Sequence, residues 1–173
     1  MCAVSVGLLM DDVPIVGAIY DPLRGDMFSA QKGHGAYLNG VPIHASQVES
    51  LADALVGFDW GHADQIRERT LTNVNQIAPQ CRTVRGLGSA TLALAYVASG
   101  WLDAYVNLGM KPWDTAAGLV LLSEAEATTS TPDGRRYCYD QPACLASNSL
   151  IHAEILALLR AAAGQPILEG PEE

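Results

Sequence analysis

Lys111-Pro112-Trp113-Asp114-Thr115-Ala116-Ala117-Gly118 places an acidic residue directly before a run of small side chains. That is the pattern of a helix start, where a short carboxylate can accept the unpaired N–H groups of the first turn. Gly88-Ser89-Ala90 opens another helix in the same small-residue manner. Working outward from these two starts, β-rich runs near 54–59, 82–84, 104–107 and 144–146 alternate with runs at 63–77, 89–99, 115–125 and 150–163. In the latter, apolar residues recur at three and four, which predicts helices. Strand and helix in alternation predict an α/β half.

Upstream the pattern is different. Short β-rich runs at 4–9, 15–20, 27–30 and 36–38 are separated only by Asp11-Asp12, by Asp21-Pro22-Leu23-Arg24-Gly25 and by Gly33-His34-Gly35. Connections this short predict an antiparallel meander. Asn39-Gly40 accepts positive φ at both turn positions and returns the chain through Val41-Pro42-Ile43, with Pro42 expected on an edge. The predicted organisation is a β-meander over 1–46, an α/β lobe over 47–163 and a polar, Pro-containing tail over 164–173 that frays. Within the second lobe, Leu92, Leu94, Ala95, Tyr96 and Val97 make the 89–99 helix apolar nearly all round, so it is expected between layers. Ser89 reads as its N-cap and Gly100 as its C′ residue.

A chain of 173 residues can bury a full core, roughly 70% of its unfolded surface. Its composition is 49% hydrophobic and only 17% charged, so part of the apolar surface is expected to need a partner. Nineteen acidic against ten basic residues give a net charge of −9, which repels phosphate backbones and anionic membranes. Nucleic-acid binding through a basic patch is not expected. Cys2, Cys81, Cys138 and Cys144 form no CxxC pair and have no histidine at zinc-finger spacing, so free thiols in a reducing cytoplasm are expected. Residues 1–10 lack a basic leader and reach Asp11-Asp12 too soon for a signal peptide or membrane span. They begin already inside a strand pattern, which leads us to expect that the natural chain, or its ancestor, continued upstream.

Asp114 can serve as a magnesium ligand, although a hard cation wants about six oxygens and one carboxylate is not a site; the same residue also reads as a plain N-cap. Gly88, Ser89 and Ala90 suit an anion or sugar hydroxyls approaching the backbone, or equally a close-packed helix entry. Asn107, seven residues before Asp114 near a strand end, can offer its amide to a ligand hydroxyl or merely end the strand. His34, His44, His62 and His152 have no carboxylate or cysteine at an interpretable offset and read as surface or turn residues. No dinucleotide loop, P-loop or nucleophile elbow is present.

Four segments taken in order resemble the inositol monophosphatase family: 14–22, 28–40, Arg85-Gly86-Leu87-Gly88-Ser89-Ala90 and 113–118. The resemblance runs along nearly the whole chain. It implies a layered α/β sugar-phosphatase fold, a cytoplasmic homodimer, and magnesium-dependent hydrolysis of inositol phosphate or a related sugar phosphate, a small-molecule phosphate monoester. It further implies that Asp114 is a catalytic metal ligand that also touches substrate hydroxyls. Gly88, Ser89 and Ala90 match the substrate-binding segment, and Asn107 stands where animal members place an inositol-contacting Glu.

Two departures qualify these expectations. The family's Asp-Pro-Ile/Leu-Asp-Gly-Thr motif and upstream glutamates, which supply most metal ligands, are expected before Val4, so the chain resembles the C-terminal two-thirds of a member, and its 1–46 meander a remnant of the N-terminal lobe. Alone it is expected to show little or no catalysis. Glu124-Ala125-Glu126-Ala127 replaces the family's Glu-Ala-Gly-Gly, so a looser helix end is expected there, with Glu126 an exposed helix-end residue instead of a replacement ligand. The alternatives are a non-catalytic polyol- or phosphate-binding or dimerisation module, and a poorly folding fragment whose first strands lack covering helices. Alternative substrates within the enzyme reading are fructose 1,6-bisphosphate and nucleotide 3′-phosphates.

Overall fold

Two aspartates make the first turn. Asp11 and Asp12 both adopt positive φ, 50° and 61°, a conformation that a short polar side chain tolerates better than most. They join β1 (Val4–Met10) to β2 (Val13–Asp21) by a two-residue loop, with Met10 paired to Val13. The computed structural model describes residues 1–164, so the expectation of a frayed tail lies almost wholly outside the described residues. The meander continues through β3 (Asp26–Gln31), β4 (Ala36–Leu38) and β5 (Val41–Pro42), each antiparallel to the last. Asn39 and Gly40 take φ of 51° and 80° at the tight turn, and Pro42 lies on the edge strand.

The second sheet has the order β7-β6-β8-β10-β9. Strand β6 (Leu55–Phe58) runs parallel to β7 (Thr83–Gly86) and to β8 (Ala104–Asn107), whereas β10 (Cys144–Ser147) is antiparallel to β8 and to β9 (Thr128–Ser130). The sequence reading does not contain β9: Thr-Thr-Ser is too short and polar to show a period, and its pairing with β10 makes it a strand. A 3₁₀ turn at Leu51–Asp53 is likewise absent from that reading.

Four helices, α1 (Asp64–Ile77), α2 (Ala90–Ala98), α3 (Pro112–Glu124) and α4 (His152–Ala163), complete the layers. Helices α2 and α3 lie between the sheets, packing on Ile19 and Phe28 of the first and on Tyr105, Cys144 and Ala146 of the second. The other face of the second sheet, with Val56, Ala104, Val106 and Leu145, packs on Ile77 of α1 and on Ile155 and Leu159 of α4. Alternate residues of β8 thus serve two different cores, as the two-residue period of a strand dictates. Every residue from Thr91 to Ala98 of α2 is buried. Glycines permit the tight spacing on the other side: a Cβ on Gly17 would lie 2.4 Å from the carbonyl oxygen of Ala117, and one on Gly118 2.7 Å from Leu94.

The two inner helices end alike. In α2, Trp101 N–H donates to the Tyr96 carbonyl at 2.8 Å and Gly100 N–H to Val97 at 3.1 Å, with Gly100 at φ 69°. In α3, Ala127 N–H donates to Leu122 at 2.9 Å and Glu126 N–H to Ser123 at 3.4 Å, with Glu126 at φ 64°. Both are the left-handed helix ending with paired carbonyls. The expected loosening at Glu126 is therefore absent: the motif is hydrogen-bonded, and an exposed glutamate carries the conformation that suits glycine.

The histidine reading fails at His152. His34, His44 and His62 are exposed, but His152 is buried beneath β10 and β9, with Nδ1 2.7 Å from Ser147 Oγ and Nε2 3.0 Å from Ser130 Oγ. Burial lowers its pKa from the ordinary 6.5. Both partners come from strands, one of them unrecognised in the sequence. All four cysteines are free thiols. No helix among the described residues is long and apolar enough to cross a membrane.

Candidate functional site

The carboxyl ends of three parallel-paired strands converge. Strand β6 ends at Phe58 and delivers Asp59; β7 ends at Gly86 and delivers Leu87 and Gly88; β8 ends at Asn107. This rim of an α/β sheet is where ligands sit in open folds of this kind, because loops and helix starts gather there.

Helix α2 opens from the β7 end. Ser89 is its N-cap, extended at φ −149°, with its hydroxyl accepting the Leu92 N–H at 3.4 Å. Gly88, at φ 73°, is exposed and has open space where a Cβ would stand. Helix α3 opens beside it: Thr91 Oγ1 donates to the Asp114 carbonyl at 3.3 Å, so the two helix starts singled out in the sequence are neighbours.

The local role of Asp114 differs from the sequence reading. The helix begins earlier than 115, with Lys111 as N-cap and Pro112 at the first helical position, where its fixed φ and missing N–H cost nothing. Asp114 is the third residue of the helix. Its Oδ2 accepts the Lys111 N–H at 2.8 Å, in the manner of a capping box. The side chain is half-buried.

Asn107 is buried and its amide is engaged on both sides. Nδ2 donates to Tyr105 Oη at 2.7 Å and Oδ1 accepts the Gly109 N–H at 2.8 Å. Tyr105 in turn donates to Asp59 Oδ2 at 2.8 Å. Asp59 Oδ1 accepts the N–H groups of Leu87 at 3.0 Å and Gly88 at 2.7 Å. Burial, and after it the charge of Asp59, hold the Tyr105 phenol well above its ordinary pKa, so it remains a neutral donor. A hydrogen-bond chain therefore runs from Asn107 through Tyr105 and Asp59 to the Gly88 loop. Sequence reasoning missed Asp59. The signal it offered was position alone, an acid at the end of a predicted strand.

Magnesium needs several oxygen ligands, and Asp114 brings one carboxylate with one oxygen already accepting a backbone N–H. Among the described residues no group of three or more His, Cys, Asp or Glu side chains could hold a metal ion. The side chains present thus do not make up a magnesium site by themselves. A concavity of about 1090 Å³ lies elsewhere, between α1, α4 and the 131–143 loop, and none of the residues of this site lines it. A smaller one of about 430 Å³ adjoins Pro112 and Trp113 at the start of α3.

Comparison with known proteins agrees with this fold. The model of the inositol monophosphatase family matches residues 1–164. The chain is 38% identical over 164 residues to an inositol-1-monophosphatase of Synechocystis sp., covering 91% of this chain and 55% of that protein. It is 36% identical over 137 residues to inositol monophosphatase 1 of Solanum lycopersicum, covering 78% and 50% respectively. The solved structure of an inositol monophosphatase from Anabaena superposes with a TM-score of 0.86 at 32% identity, covering 96% of this chain and 65% of that one. The chain spans about half the length of the curated relatives it matches.

Proposed function

The chain belongs to the inositol monophosphatase family, and from that premise we propose that it serves the magnesium-dependent hydrolysis of an inositol phosphate or a related sugar phosphate. The family acts on phosphate monoesters and is in general metal-dependent. The observation that carries the reading is the hydrogen bond from Thr91 to the Asp114 carbonyl, which sets the Gly88-Ser89-Ala90 helix start beside the acidic one at the carboxyl ends of β6, β7 and β8.

In this reading Gly88, Ser89 and Ala90 receive the polyol, their small side chains letting hydroxyls approach the backbone. Asp114 touches a substrate hydroxyl and contributes one carboxylate to the metal set. Asn107 supports the rim through Tyr105, its second amide hydrogen being the group left for a ligand. Magnesium, when bound, would polarise the phosphoryl group and lower the pKa of water. The described residues supply too few ligands to hold it unaided, so the chain's own contribution is to bind and orient the alcohol half of the ester. By itself it is proposed to turn over little or not at all. A cytoplasmic homodimer belongs to the same proposal, on the strength of the family.

The test measures phosphate release from inositol 1-phosphate, with and without magnesium, and binding of the same ester by calorimetry. The chain is compared with a chimaera that carries, ahead of Val4, the portion of the Synechocystis relative that this chain does not match. The expected result is binding by both, magnesium-dependent release by the chimaera alone, and a loss of at least about 100-fold on Asp114→Asn in the chimaera. Robust magnesium-dependent release by the chain alone would overturn its proposed inactivity. Absence of both binding and release in the chimaera would overturn the substrate reading.

A further inference from the structure

We propose that Asp59 is a specificity-determining residue at this rim, whose carboxylate admits the neutral hydroxyls of a polyol monophosphate and rejects a second anionic group on the same ring. The inference rests on the reading of Gly88-Ser89-Ala90 as the polyol-binding segment. It adds a residue to that segment.

The two loop amides that a ligand anion would seek are already paired. Asp59 Oδ1 takes the N–H groups of both Leu87 and Gly88, so this turn presents an occupied nest with the negative charge on the protein's side. Neutral hydroxyl groups can donate to such a carboxylate. A fully ionised phosphate cannot, and meets like charge at contact range. Asp59 is half-buried and Gly88 beside it is exposed, so the charge is within reach of a bound molecule and only partly screened. Its Oδ2 is held by Tyr105, which is itself held by Asn107, and the carboxylate is thereby fixed between the loop and the β8 end. Among the described residues no Lys or Arg is bonded to Asp59; its partners there are two backbone amides and one phenol.

The chain as it stands can be tested by binding alone. Affinities for inositol 1-phosphate and for fructose 1,6-bisphosphate are measured by calorimetry on the unmodified chain, Asp59→Asn, Tyr105→Phe and Asp64→Asn. The asparagine keeps an acceptor for the loop amides and removes the charge. The expected result is a preference for the monophosphate that shrinks on the order of tenfold in Asp59→Asn. It should persist in Tyr105→Phe, which loosens the same network but leaves the charge. It should also persist in Asp64→Asn, which removes an equal charge from the exposed start of α1. Asp59→Ser serves as the second neutral variant if Asp59→Asn does not fold.

Three results overturn the inference. An unchanged preference in the neutral variants removes Asp59 from specificity while leaving the substrate reading intact. An equal loss in Tyr105→Phe assigns the effect to loop order and not to charge. Failure of the unmodified chain to bind either ester removes the polyol pocket itself, and this inference with it.

Discussion

A buried imidazole loses the water that would stabilise its charged form. His152 touches Ser147 and Ser130, neither of which can neutralise an imidazolium, and burial lowers its pKa. The unfolded chain therefore takes up this proton at a higher pH than the native one. Stability should be complete above about pH 6.5, decline as the pH falls below that value, and level off once the native group also protonates. Urea midpoints between pH 7.5 and pH 5 check this, and His152→Gln should flatten the decline. At this scale the sequence was legible where chemistry is local. Ser89 as a cap and Gly100 as a helix stop follow from near neighbours, whereas Asp59 acquires its meaning from amides 28 and 29 residues away and a tyrosine 46 residues away. His152 was misread for the same reason: its partner Ser130 lies on a strand without a sequence signature.

The inner helices provide a matched pair of endings. Gly100 and Glu126 occupy the same position in the same motif, at φ 69° and 64°. A side chain with a Cβ in this region costs roughly 1–2 kcal/mol, part of which glycine gives back through the freedom it restores to the unfolded chain. Glu126→Gly should stabilise the protein by about 1 kcal/mol, read as a shift in the denaturant midpoint at constant slope. Among the described residues its exposed carboxylate accepts no hydrogen bond that would be lost, and the Ser149 hydroxyl donates to the Glu126 carbonyl, which the substitution keeps. Element types were legible because the periods of two and of three to four are long enough to see. Boundaries were less so: Pro112 starts α3 earlier than the small-residue run suggests, which moves Asp114 from the cap into the first turn.

Across the whole molecule the apolar excess of the composition has an address. Val4, Val6, Leu8 and Met10 line up on the outer face of β1, each more than half exposed, with Val16 of β2 and Met27 of β3 beside them. Patches of this kind bind apolar dyes and one another. Val6→Lys with Leu8→Lys should leave stability within about 0.5 kcal/mol per site, as for other surface changes, while lowering dye fluorescence and light scattering. Unchanged scattering would exonerate this face. The apolar excess itself was legible in the composition. The stacking order of the layers was not, because nothing local tells a helix that is apolar all round which two sheets it will separate.

That helix has a consequence for how the sequence can vary. With Thr91 to Ala98 all closed to water, α2 has no permissive side. In a library of single substitutions, an amphipathic helix yields a stripe of tolerated changes every three or four positions. Here the stripe should be missing, and α2 should stand out as an uninterrupted block in which polar replacements do not survive at any register.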